Sequence, residues 1–313
     1  MLDVIGIGSC FVDYFFDVDK KTLDKYNLKP EDDFLFKDIT ISPKDIFEKL
    51  SILRKSPGGI SLNTIAVLGA LNMHVAYYGV VGSDKDGDYF IEKLNKVDKS
   101  YLIRSGNMSR CTCLLSHSRK YRTFLSEVNP RDNDFFKNIN YDFLNTSKFI
   151  YVGPFLADPK KNLKKLEKIF VKINKPLIGF SPSILYINLG FKALLPLIKK
   201  TYILFLNKQE IKKLVNKNAK DGSKYLLKYG PKIIVCTMGK EGAIVTTSKE
   251  QIFQKGKKIE NVVDTTGAGD SFAAGFLCGL IKEKSLNWSL SYANKIASRS
   301  VSDFGLSWLS NKF

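Results

Sequence analysis

Apolar and polar positions along this chain follow two periods. Short, nearly continuous apolar runs at Leu2 to Ile7, Phe149 to Val152, Leu177 to Phe180, Ile203 to Leu206 and Ile233 to Thr237 read as buried strands. Between them, Leu163 to Ile173 and Lys208 to Val215 carry apolar residues at helical spacing. Strands that alternate with helices predict an α/β fold, a mostly parallel central sheet with helices on both faces. The first third is less regular. Phe11 to Val18 predicts a second, exposed strand, Lys20 to Lys29 a short helix, Asp33 to Ile41 another strand, and Pro43 to Leu53 a helix. Ser61 to Leu71 predicts a helix, Val75 to Val81 a strand, Tyr89 to Leu94 a helix, and Cys111 to Ser116 with Tyr121 to Ser126 a hairpin around Ser118-Arg119-Lys120. The irregular segments predict a small antiparallel layer beside the main sheet.

The most informative stretch lies near the C-terminal end: Asp264-Thr265-Thr266-Gly267-Ala268-Gly269-Asp270. Ile259 to Val263 ahead of it reads as a short strand. Behind it, Phe272, Ala273, Phe276, Leu277, Leu280 and Ile281 recur at helical spacing. A small, flexible turn that opens onto a helix N-terminus favours an anion, and Asp270 falls inside the first turn.

Four other constellations stand at predicted turns. Asp13 follows the first strand. Gly58-Gly59 precedes a helix that carries Asn63, an arrangement suited to vicinal hydroxyls. Asn207 and Glu210 follow the strand at 203–206 at capping-box spacing, and their alternative role is to hold the waters of a magnesium ion. Thr237, Gly239 and Gly242 form a glycine turn that reads either as an ordinary hairpin or as a nucleotide wall. Gly6-Ile7-Gly8 begins like a dinucleotide fingerprint, but Phe11 replaces the third glycine and no helix follows. No G-x-x-x-x-G-K-[ST] loop occurs, and His74 and His117 lack a nucleophile partner, which disfavours P-loop and triad chemistry.

Composition narrows the class further. The net charge is +18, and all but seven of the 49 basic residues are lysine. The lysines are spread along the chain, so they read as solvated faces, and no specific nucleic-acid partner is expected. The five cysteines form no C-x-x-C pair and no zinc spacing. No run of about 18 apolar residues exists for a membrane span, and no signal peptide is apparent at the start, so a cytoplasmic location is expected.

Together these motifs resemble the ribokinase-like (PfkB) family of sugar and nucleoside kinases over nearly the whole chain. Asp264 to Asp270 is similar to the family's C-terminal signature, and Ser56 to Asn63 through Gly79 to Gly87 is similar to its N-terminal one. The resemblance implies a single domain over 1–313 with a small β lid from about 12–45 and 103–127. It implies an ATP-dependent kinase acting on a small-molecule sugar or nucleoside, with Mg2+ and in many members K+, as a monomer or homodimer. It assigns Asp270 as base and Gly267, Ala268 and Gly269 as anion hole. Asp13, Gly58, Gly59 and Asn63 would hold the acceptor, and Thr237, Gly239, Gly242 and Asn294 would flank the nucleotide. Asn207 and Glu210 would serve magnesium through water, Asp264 and Thr266 a monovalent cation. Ser181 stands where many members carry Asp or Asn. The long stretch between Asp13 and Gly58 resembles adenosine kinases, with fructokinase-like and sugar-phosphate kinases as the alternative. A non-catalytic ligand-binding protein on the same fold is the reading of a different class.

Overall fold

The computed structural model describes residues 1–28, 33–39, 41–117 and 122–310. The turn expected at Ser118-Arg119-Lys120, and the positions Lys29, Thr40 and Tyr121 of other expected elements, lie outside them.

The main sheet has eight strands in the order Val75–Tyr78, Leu2–Ile7, Ser147–Val152, Leu177–Phe180, Ile203–Asn207, Ile233–Thr237, Gly242–Thr246, Gln251–Lys255. The first six are parallel, and the last two close the edge as antiparallel hairpin strands. Alternation along each strand sends side chains into two cores. Val4, Tyr77, Tyr151, Phe205 and Val235 pack with helices Ile60–Ala70, Ala268–Ile281 and Leu286–Ser300 on one face. Ile5, Tyr78, Ile150, Leu204 and Ile234 pack with helices Pro159–Lys172, Phe191–Lys200, Lys208–Val215 and Ala219–Leu227 on the other. Residues buried on both faces explain why the strands read as continuous apolar runs.

A second sheet has the order Asp33–Leu35, Arg122–Glu127, Arg110–Ser116, Phe11–Val18, Ile52–Gly58. It departs from expectation in three ways. The strand Phe11–Val18 is buried along almost its whole length, because Tyr14 and Phe16 join the main core while Phe15 enters a small cluster with Cys113 and Leu115. The sheet is mixed rather than antiparallel, since Phe11–Val18 runs parallel to Arg110–Ser116 and Asp33–Leu35 parallel to Arg122–Glu127. The helix expected to reach Leu53 ends at Lys49, and Ile52–Gly58 is an antiparallel edge strand on Phe11–Phe16. Ladder pairing there overrides an accidental helical spacing.

Smaller differences follow from local geometry. The strand expected over 33–41 ends at Leu35 in a single 3-10 turn, and the one at 75–81 breaks at Gly79. The strand expected at Ile259 to Val263 does not form. The segment is largely exposed, and the N–H groups of Val263 and Asp264 donate to the Val301 carbonyl instead of a sheet neighbour. Among the described residues no helix is long and apolar enough to cross a membrane.

Candidate active site

Four chain segments converge beside the C-terminal ends of the parallel strands, where open α/β sheets bind ligands. The helix Ala268–Ile281 begins there. Its N-cap, Gly267, has φ +73, a left-handed conformation that costs glycine nothing. The Ala268 N–H donates to the Thr265 carbonyl at 3.2 Å, whereas Gly269 and Asp270 lie in the first turn, where a helix supplies no acceptor for its N–H groups. A Cβ on Gly269 would meet nothing within 4 Å, so the turn faces open space.

Asp270 is half-buried, its carboxyl turned inward to accept a hydrogen bond from Asn63 Nδ2 at 2.8 Å. The neighbouring Thr64 hydroxyl donates to the Asp270 carbonyl oxygen at 3.2 Å. Burial pushes the Asp270 carboxyl up to about 7, with the negative charge of Glu210 adding to the rise; Asn63 and the Arg122 guanidinium act in the opposite direction. Asn63 Oδ1 is buried and has no hydrogen-bond partner among the described residues. It is a free acceptor beside a group that titrates near neutrality.

Asp13 enters from the second sheet. A Cβ on Gly58 would lie 2.2 Å from Asp13 Oδ2, so only glycine lets this carboxylate rest on the chain. Burial pushes Asp13 up to about 8, and the charges of Asp264 and Asp270 push the same way. Gly59 caps the helix Ile60–Ala70 that carries Asn63, and a Cβ there would meet the Ser9 carbonyl at 2.6 Å. Asp13, Gly58, Gly59, Asn63, Asp270 and the Gly267–Gly269 turn therefore share one locality.

Asp264 is buried, and both of its carboxylate oxygens accept hydrogen bonds. Its Oδ1 accepts from the Thr266 N–H at 2.9 Å and the Thr266 hydroxyl at 2.7 Å, and its Oδ2 accepts from the Gly305 N–H at 3.1 Å. It pins the turn to the loop at 301–305.

Asn207 and Glu210 form a capping box: Asn207 Oδ1 accepts from the N–H groups of Gln209 and Glu210, and Glu210 Oε2 accepts from the Asn207 N–H at 2.8 Å. Burial pushes Glu210 up to about 7, the Asn207 N–H offsets part of this, and Asp33 of the second sheet adds to it. One Glu210 oxygen remains beyond the cap. Asn207 pairs in register with Thr237, and Thr237 leads into the 3-10 turn Gly239–Glu241. A Cβ on Gly239 would meet nothing within 4 Å, whereas one on Gly242 would strike the Gln254 carbonyl at 2.1 Å. Asn294 reaches the same edge strand, its Nδ2 donating to Gln254 and Lys255 carbonyls at 3.5 and 3.4 Å. A cleft of about 660 Å³ beside this turn is lined by Lys208, Lys212, Lys213, Met238, Glu241 and Ile244.

Two residues at this site escape sequence reasoning. Arg122, on the second sheet, donates to the Thr265 hydroxyl and acts electrostatically on Asp270. Its signal was rarity, an arginine where lysine is the rule. Tyr151 is buried at the end of a central strand, flanked by the Thr64 and Ser181 hydroxyls and within electrostatic reach of Asp270 and Glu210. In sequence it is one more apolar strand position.

The pattern of the pfkB family carbohydrate kinases matches residues 39–310. The adenosine kinase of Saccharomyces cerevisiae is 28% identical over 336 residues, spanning 99% of this chain and 97% of that protein. An uncharacterized sugar kinase of Archaeoglobus fulgidus is 25% identical over 241 residues, spanning 76% of this chain and 95% of that protein. The crystal structure of the adenosine kinase from Sinorhizobium meliloti superposes with a TM-score of 0.82 at 23% identity, covering 99% of this chain and 98% of that one, which shows the ribokinase-like fold. With this match added to the helix turn that holds Asp270, the chain belongs to the PfkB family of sugar and nucleoside kinases, phosphotransferases with a hydroxyl acceptor, and is similar to its adenosine kinases.

Proposed function

We propose that the protein transfers the γ-phosphoryl group of ATP to a primary hydroxyl of a nucleoside or ribose-like sugar. The observation that carries this reading is the Asp270–Asn63 pair set in the open first turn of Ala268–Ile281. Asp270 removes the proton of the attacking hydroxyl as the bond to phosphorus forms. A carboxyl near neutrality is matched to that task better than an ordinary aspartate. The open N–H groups of Gly269 and Asp270, beside the Gly267 and Ala268 backbone, face the transferred group, where negative charge is stabilised most when donors are already in place. Arg122 adds a cation on the second-sheet side.

Asp13 and the unpaired Asn63 Oδ1 accept hydrogen bonds from acceptor hydroxyls. Thr237, Gly239, Gly242 and Asn294 flank the nucleotide, and the lysines of the adjoining cleft favour its anionic tail. The residual Glu210 oxygen fits a magnesium-bound water, with Asn207 beside it. Magnesium, when bound, supplies positive charge to the phosphate oxygens. Asp264 and Thr266 would border a monovalent cation, although three N–H and O–H donors already meet the Asp264 carboxylate. Likeness to adenosine kinases at 28% identity over nearly the full chain favours a nucleoside acceptor.

The test is a panel of nucleosides, ribose, fructose and hexose phosphates, assayed for acceptor-dependent ADP release. Adenosine is the expected best acceptor. Asp270→Asn should lower turnover by about 10²–10⁴ while acceptor binding, measured by calorimetry, changes little. Near-normal turnover in that variant removes Asp270 as the base, and no ADP release with any acceptor supports a binding protein.

A further inference from the structure

The second sheet carries three metal-ligating side chains on one face. Asp13 and Cys111 are register partners on neighbouring parallel strands, and Cys113 follows two residues along, on the same side. One ligand atom from each lies within 4.8 Å of the others. The two sulfurs are 3.8 Å apart. Two bonds of about 2.3 Å at a tetrahedral angle need a sulfur separation of about 3.8 Å. Cys113 and Asp13 are buried, and Cys111 is half-buried. The Ser126 hydroxyl lies 3.9 Å from the Cys111 sulfur and can orient it. No hydrogen bond from the described residues commits the Asp13 carboxylate.

We propose that Asp13, Cys111 and Cys113 form a site for a thiophilic divalent ion of the zinc class. Two thiols and one carboxylate suit zinc, cobalt or cadmium and disfavour magnesium, which takes oxygen ligands. Both thiols, and the Asp13 carboxyl where it is protonated, release their protons to solvent on binding. Three protein ligands leave a fourth tetrahedral position open to water. Occupation removes Asp13 from acceptor binding, so the ion competes with the acceptor. This second clause rests on the reading of Asp13 as an acceptor ligand; the site itself does not.

The experiment uses the reduced full-length protein stripped with a chelator. Cobalt(II) is titrated in and its tetrahedral d–d and thiolate charge-transfer bands are recorded, then zinc is added to displace it. One ion per chain is expected. Cys111→Ser should weaken binding at least tenfold, and Cys111→Ser/Cys113→Ser should abolish the bands. Circular dichroism of the single variant guards against misfolding. Absent bands in the wild type, or bands unchanged in both variants, overturn the site, because Cys10, Cys236 and Cys278 would then be the source. In steady-state assays zinc should raise the acceptor KM and not the ATP KM, an effect missing in the double variant. Stoichiometric zinc binding with an unchanged acceptor KM overturns the inhibition and the role of Asp13, and leaves the metal site standing.

Discussion

Asp270 titrates near neutrality because burial and Glu210 outweigh Asn63 and Arg122. As a base it works only when deprotonated, so kcat/KM should rise with pH through about 7. Removing Arg122 removes an influence that lowers this value. Arg122→Met should therefore move the acid limb of the kcat/KM profile to higher pH, with turnover reduced roughly 10²-fold; an unmoved limb means the guanidinium does not reach the base. Asp13 behaves differently. Its folded-state value, about 8, lies above the ordinary aspartate value of 3.8, so the stability it contributes is present at low pH and lost as pH rises through about 8. Asp13→Asn should raise the thermal midpoint relative to wild type under mildly alkaline conditions, with the gain shrinking toward acid.

The residue scale also shows what the sequence made legible. The Gly-Ala-Gly-Asp run announces itself because its parts are contiguous. The pair Asn63–Asp270 spans 207 positions and Arg122–Thr265 spans 143, and no local pattern encodes either contact. Each half of the first pair was identifiable only through a motif, and Arg122 belongs to none.

At the element scale, the helix that carries Asp270 is held by glycines as much as by its apolar face. A Cβ on Gly275 would stand 2.7 Å from the Ala293 Cα, and one on Gly279 2.3 Å from the Ser289 hydroxyl. The helix Leu286–Ser300 thus packs directly against the backbone of Ala268–Ile281. Gly275→Ala should destabilise by about 1–3 kcal/mol through overpacking, read as a fall in the thermal midpoint. Gly269→Ala, which meets nothing within 4 Å, should leave the midpoint in place and change kinetics alone. Equal losses in the two variants would contradict this packing. The long amphipathic helices and buried parallel strands were legible because one period dominates each. The stretch 50–53 takes helical spacing in the sequence but strand geometry in the fold, because the edge strand exposes Ile52 at 48% and Leu53 at 44%, a pattern that helical spacing mimics over one turn. Ile259 to Val263 was misread because β-branched composition does not supply a partner strand.

At the scale of the whole molecule, the +18 charge is the feature most open to overinterpretation. A few of its lysines sit in surface pairs such as Lys44–Glu48, Lys49–Asp45 and Lys161–Asp158, each contributing little. Any retention of duplex DNA seen in gel shifts at low salt should vanish near physiological salt, where loosely held phosphate contacts lose out to counterions. Retention that survives would require a dedicated binding face. Arginine is used more locally: Arg54 meets Asp303 and Ser307, Arg104 meets Asp88, and Arg110 meets Asp86, alongside Lys55 and the Tyr14 hydroxyl.

The pairing of the second sheet has one mechanical consequence. Phe11 stands opposite Gly58, Val12 beside Arg110, and Arg110 opposite Glu127, so all four of these strand ends meet the rest of the chain at the same edge. That edge is the root of the sheet. Asp13 sits one residue from its root, about 3 Å along the strand, whereas Arg122, opposite Leu115, sits about 17 Å out at a strand rise of about 3.3 Å per residue. A few degrees of rotation at the root would carry the guanidinium away from Thr265 while scarcely shifting the Asp13 carboxylate. Rotation about that edge would thus shift the Arg122 charge several times further than the Asp13 carboxylate.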